Sequence, residues 1–375
     1  MASETAWLDQ TLNNCRIIAC LGSGGVGKTT LSAALSVRAA MQGKRVLCLT
    51  IDPAKRLAQS LGLERMQEEL HQVPTSLWQQ HALHPKGQLA VMMLDMKRTF
   101  DDLIRAHTDD SELRQRIFDN RFYQYISTSL AGTREYMAME KLHMLHADAQ
   151  WDLIILDTPP STHALDFLRA PQRMINLLDS QALRWLGRSM QRSGAWPFGW
   201  LQRGSSLFFQ AISRFTGSAF VEELTGLIQS LNTLFGGFRE RAQTVANTLR
   251  GDSVAFVIVA RPDPVPLDEA RVLAEALRQQ DMGEQRCCLA INDLQASIAP
   301  ADDTLFASCD QGQSLAAVVQ QYREMVTQQQ QALIDVQSLG DRVTTTFSLP
   351  AMSTPIHDLG ALANLGQSFQ PLELA

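Results

Sequence analysis

Apolar residues along the chain follow two rhythms. The first is a set of short unbroken runs. These are Ile17-Ile18-Ala19-Cys20-Leu21, Val46-Leu47-Cys48-Leu49-Thr50-Ile51, Leu89 to Leu94, Leu153-Ile154-Ile155-Leu156, Val254 to Ala260 and Cys287 to Ile291, with Val343 to Phe347 as a last candidate. The second is helical: Thr30 to Met41 is rich in Ala and Leu and stops near Gly43. Continuous apolar runs separated by helices predict an α/β fold, a doubly wound and mainly parallel sheet covered on both faces. In such a sheet ligands gather at the carboxyl ends of the strands.

Between Asp166 and Arg250 the strand-like runs disappear. From Val221 the apolar residues run Leu224, Ile228, Leu231, Phe235, Phe238, Ala242, Val245, Leu249, a single helical stripe. A stretch dense in aromatics precedes it: Trp196, Phe198, Trp200, Phe208, Phe209, Phe215 and Phe220. A second helical block covers Arg98 to Leu145. The expected organisation is one α/β domain over residues 1–375, with a helical subdomain inserted from about 98–145 and 166–250.

Composition excludes more than it identifies. The 375 residues are 45% hydrophobic and 19% charged, ordinary for a globular chain with a large core. A net charge of −6, from 33 basic and 39 acidic residues, argues against a broad nucleic-acid surface. The six cysteines form no C-x-x-C pair, and Cys20, Cys48, Cys287 and Cys288 lie in strand-like runs, where a thiol behaves as a small core residue. This predicts a reducing, cytoplasmic setting. The opening MASETAWLDQ is acidic and lacks the apolar core of a signal peptide. The longest uncharged run, Leu224 to Phe238, holds Gln, Asn, Thr and Gly, so no membrane span is expected and at most peripheral membrane contact.

The chemistry is concentrated at three strand ends. Gly22-Ser23-Gly24-Gly25-Val26-Gly27-Lys28-Thr29 matches G-x-x-x-x-G-K-[ST] between a strand and a helix. Such a loop turns backbone N–H groups toward phosphate oxygens, and the helix amino terminus adds partial positive charge. The expected nucleotide-contacting set is Gly24, Gly25, Val26, Gly27, Lys28, Thr29 and Thr30. Lys28 should reach the β- and γ-phosphates of a bound nucleotide, and Thr29 should place its hydroxyl on Mg²⁺. Asp157 ends a buried strand, where a carboxylate holds Mg²⁺ directly or through water. Asp52 ends another, in Thr50-Ile51-Asp52-Pro53-Ala54-Lys55-Arg56, where a carboxylate would orient or deprotonate an attacking water.

GSGGVGKTT, TIDPAKRLAQSLGL, LDTPPSTHALDFLRAP and STPIHDLGALANLG together resemble the deviant Walker A ATPases of the arsenical-pump and tail-anchored-protein-targeting (Get) family. LAGTREYMAMEKLHML resembles a further family segment, around Glu140. The resemblance spans Ile17 to roughly Gly366. It implies ATP sandwiched in a dimer, with the D-P-A segment as switch I and the D-T-x-P segment as switch II. By match, Asp52 positions the water, Thr29 and Asp157 serve Mg²⁺, His163 lies in switch II and Asn292 reads the adenine. Partners implied are a second copy or a related ATPase, with a hydrophobic protein client. In targeting members the helical insertion builds an apolar groove. Here the Val221–Leu249 stripe either lines such a groove or packs within its own bundle. The aromatics from Trp196 to Phe220, flanked by Arg192 and Arg203, are the stronger candidates for a client or membrane face.

The chain also departs from the family. Ser23 stands where the family usually has a lysine reaching across the dimer. Three explanations follow: a partner chain supplies the lysine, Lys55 or Arg56 replaces it, or the protein is a slow switch. The lack of C-x-x-C leaves no evident zinc clasp, and the cysteines do not form an arsenite cluster. A single ATPase unit is expected, where the arsenical pump carries two.

Overall fold

A computed structural model of the chain describes residues 5–51, 56–63, 70–129, 133–159, 161–179, 227, 237–283, 286–297, 312–336 and 342–372. Its strands are β1 (Ile17–Gly22), β2 (Arg45–Thr50), β3 (Leu70–Gln72), β4 (Gln88–Met93), β5 (Leu153–Asp157), β6 (Val254–Ala260), β7 (Cys287–Leu294), β8 (Thr345–Pro350) and β9 (Gln370–Pro371). They form one nine-stranded sheet in the order β3-β4-β2-β5-β1-β6-β7-β8-β9. Every neighbouring pair from β4 to β8 is parallel. Only the edge strands run antiparallel, β3 on β4 and β9 on β8.

Burial shows why these runs are strands. Successive side chains in a strand point to opposite faces. On one face Ile18, Cys20, Val46, Cys48, Ile155 and Val257 join a cluster with Leu31 and Leu35 of helix Lys28–Met41 and Leu362 of helix Leu359–Gln367. The alternate residues Ile17, Ala19, Leu47, Ile154, Phe256 and Ile258 are also buried, outside that cluster. Helix Pro264–Gln279 meets β1 and β6 and buries Leu267, Ala270, Leu273 and Ala274, likewise outside it. With both faces covered the sheet is doubly wound, the architecture the apolar runs predict.

Boundaries differ from expectation in instructive places. Helix Lys28–Met41 starts earlier than Thr30, because Gly27 makes the turn into it. Strand β7 runs beyond Ile291 to Leu294 through an irregularity between those residues. Strand β8 begins at Thr345, leaving Val343 ahead of it. The sequence reading missed β3 and β9, which are 3 and 2 residues long. Runs that short carry no alternation, and short edge strands are a common way to limit unwanted pairing.

The chain divides into two compact units. One comprises Met1–Leu94, Leu145–Leu165 and Thr248–Ala375 and contains the sheet. The other comprises Asp95–Met144 and Asp166–Asn247. Its first part contains helices Met96–His107, Ser111–Asp119 and Arg121–Ser129 and most of Thr133–Ala147. Asp95 caps the first of these by accepting from the Arg98 amide, and Asp110 caps the second by accepting from Glu112 and Leu113. Residues 237–250 are also helical, and Phe238, Ala242, Val245 and Leu249 of the apolar stripe are buried. Leu224, Ile228, Leu231, Phe235 and the aromatics from Trp196 to Phe220 lie outside the described residues. Among the described residues no helix is long and apolar enough to cross a membrane.

Candidate functional site

The glycine loop leaves β1 at the carboxyl edge of the sheet, between β5 and β6. Gly22 pairs in register with Val259 of β6, and a Cβ on Gly22 would collide with the Val259 carbonyl. Gly27 has φ +96°, left-handed backbone that glycine adopts without strain. A Cβ there would also run into Asn292 Nδ2. Gly27 is the N-cap of helix Lys28–Met41 and, lacking a side chain, makes no cap hydrogen bond to that helix start. The first amides of the helix therefore have no side-chain cap, the arrangement in which a helix end takes an anion.

The side chains around the loop match phosphate and cation chemistry. Lys28 is buried, and its Nζ donates to the Ser23 carbonyl at 2.6 Å. Thr29 Oγ1 donates to Asp157 Oδ2 at 2.8 Å. Thr50 Oγ1 donates to the same oxygen at 3.0 Å. Asp157 is the last residue of β5, opposite Cys20 of β1 and Thr50 of β2. Its side chain is buried, so hydroxyl donors offset the cost of removing a carboxylate from water. Thr158 Oγ1 donates to the Cys20 carbonyl at 2.6 Å and ties the chain after β5 back to β1. Burial pushes the Cys20 thiol up to about 12, so it is a packing group and not a nucleophile.

The remaining expected residues fall in several places. Gly24 and Gly25 are exposed on the loop, Val26 is buried, and Thr30 is half-buried in the first turn of the helix. Asn292 lies on β7, and its Nδ2 donates to the Val26 carbonyl at 2.9 Å. Ser23 is buried, and among the described residues its hydroxyl has no hydrogen-bond partner. Glu140 belongs to the second unit. There it is fully buried, accepts from the Tyr136 hydroxyl and pairs with Arg241 Nε at 3.3 Å. Asp52 and Lys55, with the side chains of Arg56 and His163, lie outside the described residues. Sequence reasoning missed Thr50 and Thr158. Thr50 is two residues before Asp52, but only the register of β2 on β5 brings it to Asp157.

The donor set fits a magnesium nucleotide. Mg²⁺ typically takes one or two protein oxygens and fills its shell with phosphate and water. A hydroxyl and a carboxylate 2.8 Å apart, beside a lysine and uncapped helix amides, supply that set.

The chain is similar to known ATPases. The model of the anion-transporting ATPase family matches residues 15–338. The chain is 22% identical over 293 residues to "ATPase get3" of Pyrenophora tritici-repentis, covering 77% of this chain and 76% of the relative. It is 23% identical over 309 residues to "ATPase GET3" of Phaeosphaeria nodorum, covering 81% and 82%. A shorter match, 26% over 169 residues, is to a "Putative arsenical pump-driving ATPase" of Prosthecochloris vibrioformis and covers 42% of this chain and 36% of that one.

Proposed function

The chain belongs to the anion-transporting ATPase family, and from that premise we propose a Mg²⁺-dependent switch that binds and hydrolyses ATP and couples its nucleotide state to a protein partner. One observation carries the reading. Thr29 and Thr50 converge on Asp157 Oδ2 beside a glycine loop that holds the Lys28 ammonium on its own Ser23 carbonyl.

In this reading the amides from Gly24 to Thr30 cradle the phosphates, and Lys28 exchanges the Ser23 carbonyl for phosphate oxygen. Thr29 and Asp157 would hold Mg²⁺, which would neutralise charge on the transferring phosphoryl group. Thr50 keeps the Asp157 carboxylate oriented. Asp52 directs the attacking water and Asn292 meets the adenine, roles that rest on the motif resemblance. The nucleotide-bound form is a homodimer or a heterodimer with a related ATPase. The helical insertion takes a hydrophobic client and changes shape with nucleotide state.

A second reading is a nucleotide-dependent scaffold or regulatory subunit that turns over little. Ser23 favours it, since a buried serine hydroxyl replaces the expected lysine and brings no charge across an interface. Rate measurements separate the two. Lys28→Ala should lower Mg²⁺-dependent hydrolysis by about a hundredfold or more, since the phosphoryl group loses its nearest cation; unchanged turnover would sink the ATPase reading. Single-turnover hydrolysis by the parent and by Ser23→Lys tests the second reading. A slow parent accelerated by the new lysine, or by a related ATPase added in trans, points to a missing cation.

A further inference from the structure

Beyond the loop, the ends of β6 and β7 carry a charged pair with no place in the reading so far. Arg261 follows β6 directly, and its Nη2 lies 2.7 Å from Asp293 Oδ2 on β7. Its Nε is buried, makes no hydrogen bond among the described residues and lies 3.6 Å from Asp263 Oδ2. Asp293 has φ +67°, left-handed backbone in a non-glycine residue. It sits where the register of β7 on β8 shifts, between Ile291 and Leu294. Asp tolerates this conformation better than most residues, yet it persists only where neighbours hold it.

The residue beside this bend is Asn292. Its Nδ2 donates to the Val26 carbonyl and occupies the space where Gly27 has no Cβ. A trans peptide points its carbonyl and its N–H in opposite directions. Fixing the Val26 carbonyl on Asn292 therefore turns the Gly27 N–H away from Asn292. Backbone N–H groups are what a phosphate loop offers its ligand. A side chain on β7 thus sets the direction of one of them, and Arg261 holds the backbone that carries the side chain.

We propose that Arg261 and Asp293 are positioning residues: their ion pair holds the β7 bend so that Asn292 clamps the phosphate loop in its binding shape before nucleotide arrives. This rests on the reading that the loop binds nucleotide. The clamp acts on the phosphate half of the site, so it affects ATP and ADP alike. The Asn292 amide has a structural task whether or not a base is present.

The test is the affinity of the purified full chain for ATP and for ADP, each with Mg²⁺. Asn292→Ala, Arg261→Ala and Asp293→Asn should each weaken both nucleotides by about tenfold, the loss of one hydrogen bond's worth of ordering. Asn at 293 keeps the left-handed tolerance and removes only the charge, so the fold survives. Arg261→Lys should recover most of the affinity. Because the pair acts through Asn292, adding Arg261→Ala or Asp293→Asn to Asn292→Ala should cost nothing more. In nucleotide-free protein, amide hydrogen exchange across residues 22–29 should quicken in the same variants, with thermal midpoints lowered by no more than about 4 °C. If the parent binds ATP and the charge variants bind it equally, or if their effects add to that of Asn292→Ala, the clamp is wrong. If the parent binds neither nucleotide, the nucleotide reading fails and the clamp falls with it.

Discussion

At the carboxyl end of β5 one oxygen of Asp157 serves two hydroxyls, Thr29 at 2.8 Å and Thr50 at 3.0 Å. Thr29 belongs to the loop motif and stands in the first turn of helix Lys28–Met41. Thr50 belongs to β2 and is anchored by strand pairing on both sides. The carboxylate is therefore aimed by the sheet and not by the loop alone. Thr50→Val keeps the shape and deletes the donor. It should lower stability by about 1–2 kcal/mol, the cost of a lost hydrogen bond to a buried charge. Hydrolysis should then need about tenfold more Mg²⁺, because the carboxylate loses its orientation. A Mg²⁺ titration of the ATPase rate checks this; an unchanged midpoint would make Thr50 merely structural. The loop and Asp157 are legible in the sequence, because a glycine spacing and an acid after an apolar run are local patterns. Thr50 is not, because nothing local states which strand lies beside β5.

Between helices the strongest test lies in the second unit. Glu140, on helix Thr133–Ala147, is fully buried, and Arg241, on the helical segment 237–250, reaches it at 3.3 Å. The Arg241 guanidinium also lies 4.8 Å from the Phe238 ring centroid. The Tyr136 hydroxyl donates to Glu140, and burial, followed by the Glu140 charge, pushes its own titration well above the usual tyrosine range. Breaking such a pair leaves an uncompensated buried charge. Arg241→Leu should destabilise the protein by about 3–5 kcal/mol, while Glu140→Leu with Arg241→Leu should recover most of the loss. Urea unfolding of the single and double variants measures it, and equal losses in both would contradict the pairing. At this scale the sequence shows that 237–249 is an amphipathic helix. It does not show that Arg241, one residue before the buried Ala242, meets an acid about a hundred positions earlier.

For the whole molecule, burial of acids has a collective consequence. Burial pushes the Cys20 and Cys287 thiols from 9.0 up to about 12, and raises Cys48 and Cys288 as well. Burial does the same to Tyr123 and Tyr136, from 10.0. The folded chain thus retains protons that the unfolded chain releases above about pH 9, so stability falls as pH rises from about 9 toward 12. Each thiol lowers stability by roughly 1 kcal/mol per pH unit above about pH 9, and each tyrosine hydroxyl does so only above about pH 10. Urea midpoints at about pH 8 and pH 10.5 should differ markedly, and equal midpoints would mean that these groups are solvated. The sequence by itself determined the class of the fold, because apolar runs from Ile17 to Ile291, buried on two faces, have no stable home except a sheet covered by helices. It also marked the loop, because glycine spacing is a covalent property of the chain. Strand order, the edge strands β3 and β9, the meeting of Thr50 with Asp157 and the hold of Asn292 on Val26 were decided by tertiary structure. Each of these depends on which distant segments become neighbours, and that is set by packing over the whole sheet, which no local pattern of residues encodes.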